Sequence, residues 1–165
     1  MKSDIKIDTT KLNNRLNRYI KNMQGHQIIN VVNAMGQEAI RINIKRTLEK
    51  QVDVNGSKFE RLKPKTIEAR KKGQKKYSNK ILVDTGRMIQ SIDFIHKAKR
   101  TSAGTFATIG VGGLEIRGRV NPKEYASYHQ EGTAHIPKRE FLGINKSEQM
   151  QLLKIAEQLI KRILK

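Results

Sequence analysis

The sequence predicts an α+β fold with a central antiparallel sheet of about three to four strands and long helices at the N- and C-termini. Three observations support this. Apolar residues recur at helical spacing near both ends, and they alternate at period two in the middle. No Pro- or Gly-rich linker or internal repeat divides the 165 residues, so the chain reads as a single domain over 1–165.

Leu12, Leu16, Tyr19 and Met23 follow Asp8, Thr9 and Thr10 and stop at Gly25, which predicts a first helix over about 10–23. Ile28, Val31, Val32, Met35, Ala39 and Ile42 form one stripe of a second helix over about 26–50. Ile29, Ile40, Ile44 and Leu48 spread over another of its faces, so this helix must be covered on more than one side. Pro64 suits the first turn of a short helix over about 64–72. Asp84 and Thr85 are the residue types that cap a helix start and predict another over about 86–91. Strands are expected at 92–96, 105–111 and 114–120. In the last, Leu114, Ile116 and Val120 alternate with Glu115, Arg117 and Arg119 behind a Gly112-Gly113 turn. Asn145 with Glu148 three residues later forms a capping-box pattern, opening a helix whose apolar face runs from Leu152 to Leu164.

Composition narrows the function. There is no Cys, so disulfides, thiolate metal sites and cysteine nucleophiles are excluded. No apolar h-region or spanning stretch is present, which predicts a soluble protein made in the cytoplasm. Thirty-four Lys and Arg against 15 Asp and Glu give a net charge of +19, and only 36% of residues are apolar. A lean core under like-charge strain favours an acidic partner or a symmetric assembly. The charge concentrates at 58–80, where ten basic side chains face Glu60 and Glu68. That predicts a mobile basic loop over about 56–80, with Lys71, Lys72, Lys75 and Lys76 available to phosphate or to an acidic surface. Tyr77 and Phe59 are too few for the aromatic interleaving that single-strand binders use, so any nucleic-acid contact would be through phosphates.

Candidate chemistry is sparse. Ile81-Leu82-Val83-Asp84-Thr85-Gly86 has the form in which an aspartic protease presents its carboxylate. One copy requires a dimer, the following residues look helical, and the cation Arg87 opposes a shared proton. His129, Glu131 and His135 are metal-ligand types, but their spacing matches no tight two-ligand motif, and Gly132 and Pro137 predict a loop there. Gly110 to Gly113 lacks the Lys-Ser/Thr of a phosphate-binding loop. No cofactor, metal or catalytic residue is expected, and the chain is not read as an enzyme.

Three blocks stand in fixed order. The first is Asn55-Gly56-Ser57-Lys58-Phe59-Glu60-Arg61-Leu62-Lys63-Pro64-Lys65-Thr66-Ile67, with Lys71 and Lys72 soon after. The second runs from Ile81-Leu82-Val83-Asp84-Thr85-Gly86-Arg87-Met88 to Ser91-Ile92. The third is Tyr125-Ala126-Ser127-Tyr128-His129-Gln130-Glu131-Gly132-Thr133, then Ile136-Pro137-Lys138-Arg139-Glu140-Phe141-Leu142-Gly143. Together they resemble the phage virion morphogenesis family, the tail-completion proteins of Mu-like and related tailed phages and prophages, over about residues 50–145. The first block departs by having Asn55 where Asp-Gly is more usual, and Asn serves the same turn.

The resemblance implies a structural protein of the virion neck or tail, acting when the tail is finished or joined to the filled head. It implies a ring-like oligomer whose partners are itself and other virion proteins, made in the host bacterial cytoplasm and carried in the particle. It brings no catalytic residues. On the residues themselves, the 136–143 loop is expected to display Phe141 and Leu142. With His129, Pro137 and Arg139 these form a candidate subunit or partner interface. The alternative is a basic accessory protein that contacts packaged DNA through phosphates, without sequence specificity.

Overall fold

The computed structural model describes residues 5–6, 25–112 and 121–164. The expected helix over 10–23 and the expected strand over 114–120 lie outside these residues. A two-residue strand β1 (Ile5–Lys6) precedes helix α1 (Gly25–Lys45), which passes into one π-helical turn (Arg46–Lys50). Then come α2 (Pro64–Lys72), α3 (Arg87–Gln90), β2 (Ile92–Thr101), β3 (Gly104–Val111), α4 (Pro122–Glu131) and α5 (Lys146–Ile163). The fold is α+β. No described helix is long and apolar enough to cross a membrane.

Among the described residues the sheet is smaller than expected. Its body is a two-strand antiparallel hairpin of β2 and β3, and β1 lies beside β3 in the order β1-β3-β2. Strand β2 is longer than expected and does not stop at residue 96. It continues to Thr101, and a two-residue turn, Ser102-Ala103, returns the chain through Gly104 at φ 134°. Register shifts after Phe94 and after His96 bend β2. Within the second of these, between His96 and Lys99, Asn33 of α1 accepts a hydrogen bond from the Ala98 N–H at 2.8 Å. On β3, Thr105, Ala107, Ile109 and Val111 are buried at strict period two.

Helix α1 is the spine. Its buried residues form two adjacent ridges at four-residue spacing, Val31-Met35-Ala39-Asn43 and Val32-Gly36-Ile40, and it packs against β2, β3 and α5. That is the two-sided cover its apolar breadth demands. A Cβ on Gly36 would stand 2.3 Å from the Phe94 ring, so glycine is what lets the sheet approach.

Polar groups fix the far end of this helix. Arg46 is 4% exposed. Its Nη1 donates to both Glu148 carboxylate oxygens at 2.7 Å, and its Nη2 donates to Asn43 Oδ1, the Phe141 carbonyl and the Gly143 carbonyl at 2.8–3.0 Å. Asn43, fully buried, also accepts from the Gly143 N–H at 2.9 Å and donates to the Ala39 carbonyl at 2.7 Å. Glu148 completes the expected capping box with Asn145 at the start of α5.

The basic segment is tied at its root. Phe59 is buried, the Lys80 ammonium donates to the Leu48 carbonyl at 2.9 Å, and Arg70 donates to the Lys80 carbonyl at 2.8 Å. Helix α2 occupies the range the sequence predicts.

Removing one partner of a buried ion pair strands the other, whereas replacing both removes the desolvation cost as well. Arg46→Met or Glu148→Met alone is therefore expected to cost about 3–5 kcal/mol in urea unfolding. The double variant is expected to lose less than either single one. A double variant that loses the sum of the two would show that the two side chains act independently and that the pair carries no coupling energy.

Candidate functional site

The three sequence blocks meet at one pocket of about 520 Å³. Leu62 and Arg70 come from the first block, Leu82 and the 84–88 turn from the second, and Tyr125, His129 and Arg139 from the third. Each is placed by its own local device. Helix α2 starts at Pro64 and carries Arg70 on its last turn. Arg70 bridges the start and end of the turn behind it by donating to the Lys80 and Val83 carbonyls at 2.8 and 3.2 Å. Leu82 holds φ 61°, a left-handed conformation that costs a branched residue roughly 1–2 kcal/mol. Gly86 at φ 83° then turns the chain into α3 and places Arg87 on the rim.

Helix α4 was not expected. Asn121 caps it by accepting from the Lys123 N–H at 3.0 Å, Pro122 takes the first turn and Gly132 ends it. Asn-Pro ten residues ahead of a glycine was the signal available in the sequence. The helix puts Tyr125 and His129 one turn apart on the same face. Gly132 at φ 78° lets the chain fold back close to Lys138, and the Arg139 N–H donates to the His129 carbonyl at 2.7 Å. Arg139, 6% exposed, aims Nε and Nη2 at the Glu60 carbonyl at 3.3 and 3.1 Å.

Three guanidiniums thus share the pocket wall with one carboxylate, Asp84. Asp84 is paired with Arg70 at 3.4 Å and Lys75 at 3.5 Å. Arg87 Nη2 and His129 Nδ1 are buried and hydrogen-bond to nothing among the described residues. Burial, and then the positive charges of Arg139 and Arg70, push the His129 imidazole below its ordinary value. Burial lowers Arg139 too, with Arg70 adding to this and Glu60 opposing it. Burial raises the Tyr125 phenol, and Arg87 acts the other way.

Several expected roles change. Asp84 and Thr85 do not cap α3. Gly86 stands at the cap position, Asp84 turns to the cations of the basic segment, and Thr85 Oγ1 lies 3.5 Å from the Arg87 N–H, at the limit of a hydrogen bond. Phe141 and Leu142 are not displayed; they are 0% and 5% exposed and belong to the core. The cause is long-range: Arg46 holds the Phe141 carbonyl, and Gln130 clasps Leu142 through its N–H and carbonyl at 3.1 and 2.8 Å. Arg139 is buried as well, while Pro137 is half-buried in the return loop. Of the four lysines, Lys72 pairs with Glu68 at 3.0 Å, Lys75 with Asp84, and Lys76 lies 5.3 Å from the Tyr77 ring centre; Lys71 is exposed. His129, Glu131 and His135 do not gather, and no group of three metal-ligand types forms among the described residues.

The sequence matches the phage virion morphogenesis family over residues 7–161. The chain belongs to that family. Its role is therefore in phage virion morphogenesis, and the pocket lies inside the matched region. No curated protein and no solved structure matches the chain.

Phe141→Ala is expected to cost about 3–5 kcal/mol of folding stability, the penalty of a large cavity, read as a lower urea midpoint. A variant that folds normally and loses only self-association would restore the interface role. For His129, the unfolded chain binds a proton more readily than the folded one. Its contribution to stability is whole above the ordinary histidine value, about 6.5, and is lost as pH falls below it. Melting points measured from pH 7.5 to 5 are expected to fall, and His129→Gln to flatten that decline.

Proposed function

We propose that this family member is a structural subunit of the virion that acts in tail completion or head–tail joining, as a ring oligomer, without catalysis. The observation that carries the reading is a family match over residues 7–161. The physical character of the subunit supports it. A net charge of +19 on 165 residues makes the lone subunit self-repelling, and acidic neighbours or packaged DNA relieve that repulsion. Large apolar side chains stand exposed on two helices, Tyr128 on α4 and Met150 on α5, where a neighbour can cover them.

The test is deletion of the gene in the phage that carries it. DNA-filled heads and separate tails are expected to accumulate, and purified protein added to the lysate is expected to restore joined particles. Sedimentation of the purified protein is expected to show an oligomer. Infectious particles formed without the protein would overturn the reading.

The second reading, a DNA-binding accessory protein, is favoured by exposed cations on β2, Lys97, Lys99 and Arg100, and by the lysines beyond α2. It requires replacement of Lys71, Lys72, Lys75 and Lys76 by Gln to flatten the slope of log affinity against log salt for duplex DNA by up to about 3–4. An unchanged slope removes it.

A further inference from the structure

We propose that the arginine-lined pocket is a receptor for an acidic segment of a partner polypeptide, taking an Asp or Glu carboxylate between Arg87 and Arg139. The pocket's own chemistry points to this, whichever step of assembly the subunit serves.

The first support is uncompensated charge. Arg70, Arg87 and Arg139 face one carboxylate, and Asp84 divides its attraction between Arg70 and Lys75. The backbone carbonyls that hold Arg70 and Arg139 satisfy N–H groups but carry no net charge, so the site keeps an excess of cation. The second support is a donor with no acceptor. Arg87 Nη2 is buried and unpartnered among the described residues, an arrangement that an incoming carboxylate completes with a charge-assisted bond. The guanidinium fork fits a planar carboxylate better than an ammonium does. The third support is the remaining wall. Leu62, Leu82, Met88 and the Tyr125 ring give the pocket an apolar side that the methylenes of an acidic residue and an adjoining apolar side chain can use. A bare inorganic anion leaves that side unused.

Two alternatives fit less well. Arg139 is 6% exposed, so a duplex phosphate riding on the surface does not reach it. A second copy of this chain would have to offer a carboxylate other than Glu38, Glu49, Glu68, Glu140 and Glu148, which are paired within their own subunit; self-association in sedimentation that is lost in Arg87→Gln would identify such a donor and overturn the proposal.

The test uses the full chain and three probes at fixed ionic strength: acetyl-Ala-Leu-Asp-Glu-Ala-amide, its Asn-Gln counterpart, and inorganic phosphate. Calorimetry is expected to show saturable binding of the acidic peptide, about tenfold or more weaker binding of the Asn-Gln peptide, and no displacement by phosphate. The Arg87 Nε resonance is expected to shift with the acidic peptide. Arg87→Gln is expected to weaken binding about tenfold or more at an unchanged melting point. The Lys71→Gln, Lys72→Gln pair, on a screened surface, is expected to change it less than about threefold. If Arg87→Gln melts early, Arg87→Lys takes its place. That variant keeps the charge but loses the fork, and an intermediate loss is expected. Absence of saturable binding overturns the proposal. So does equal displacement by phosphate, which marks a small-oxyanion site. An equal effect of the lysine pair, which marks diffuse attraction, also overturns it.

Discussion

The burial of one guanidinium, that of Arg46, sets the course of the C-terminal third of the described chain. A buried cation costs free energy at every donor left unmatched. Arg46 matches both terminal nitrogens, though not Nε, with a carboxylate from α5, an amide from its own helix and two carbonyls from the stretch between α4 and α5. The two carbonyls matter most for the pocket. They pin the backbone at Phe141 and Gly143, which turns Phe141 and Leu142 inward and leaves the chain just upstream to pass over Glu60. Arg139 meets the Glu60 carbonyl there, and its own N–H reaches His129 on α4. The pocket therefore depends on a contact made on another side of the molecule.

Main-chain oxygens also hold most of the other cations drawn inward, Arg87 excepted. With more than two bases for each acid, the chain lacks the carboxylates to pair its buried cations and uses main-chain oxygens instead. Arg70 is held by the carbonyls of Lys80 and Val83, Lys80 by that of Leu48, and Arg139 by that of Glu60. This arrangement meets hydrogen-bonding demand without neutralising the field. At the pocket the field is felt by the protein itself, since Arg139 and Arg70 both work against protonation of His129.

Periodicity and local chemistry were enough to read α1, α2 and α5, because each carries its own signal: two apolar ridges, a proline at the first turn, and a capping box whose two hydrogen bonds both form. The errors came from contacts distant in sequence. Apolar residues behind Pro137, Lys138 and Arg139 look like a displayed loop until Arg46, 95 residues before Phe141, is seen to hold it. Asp84 looks like a cap until Arg70 and Lys75 compete for it. The pocket left no trace in any local window, since its walls come from positions between 62 and 139. Only the joint order of the three blocks pointed toward it. For α4 the signal was present in Asn121, Pro122 and Gly132, and the histidines drew attention to metal spacing instead.

The charge of the chain falls into two populations with different consequences. Exposed lysines such as Lys71 are solvated, and salt screens them, so they shape encounter rates more than the final contact. The pocket arginines are desolvated, and their mutual repulsion is a standing cost to the folded subunit. A partner that brings a negative charge among them removes that cost at the same time as it makes its own contacts, so its binding is linked to the stability of the subunit it joins. On the proposal that a partner carboxylate enters the pocket, the subunit is least stable when alone and more stable once that neighbour is in place. That coupling favours retention in a finished particle over free circulation as a folded monomer.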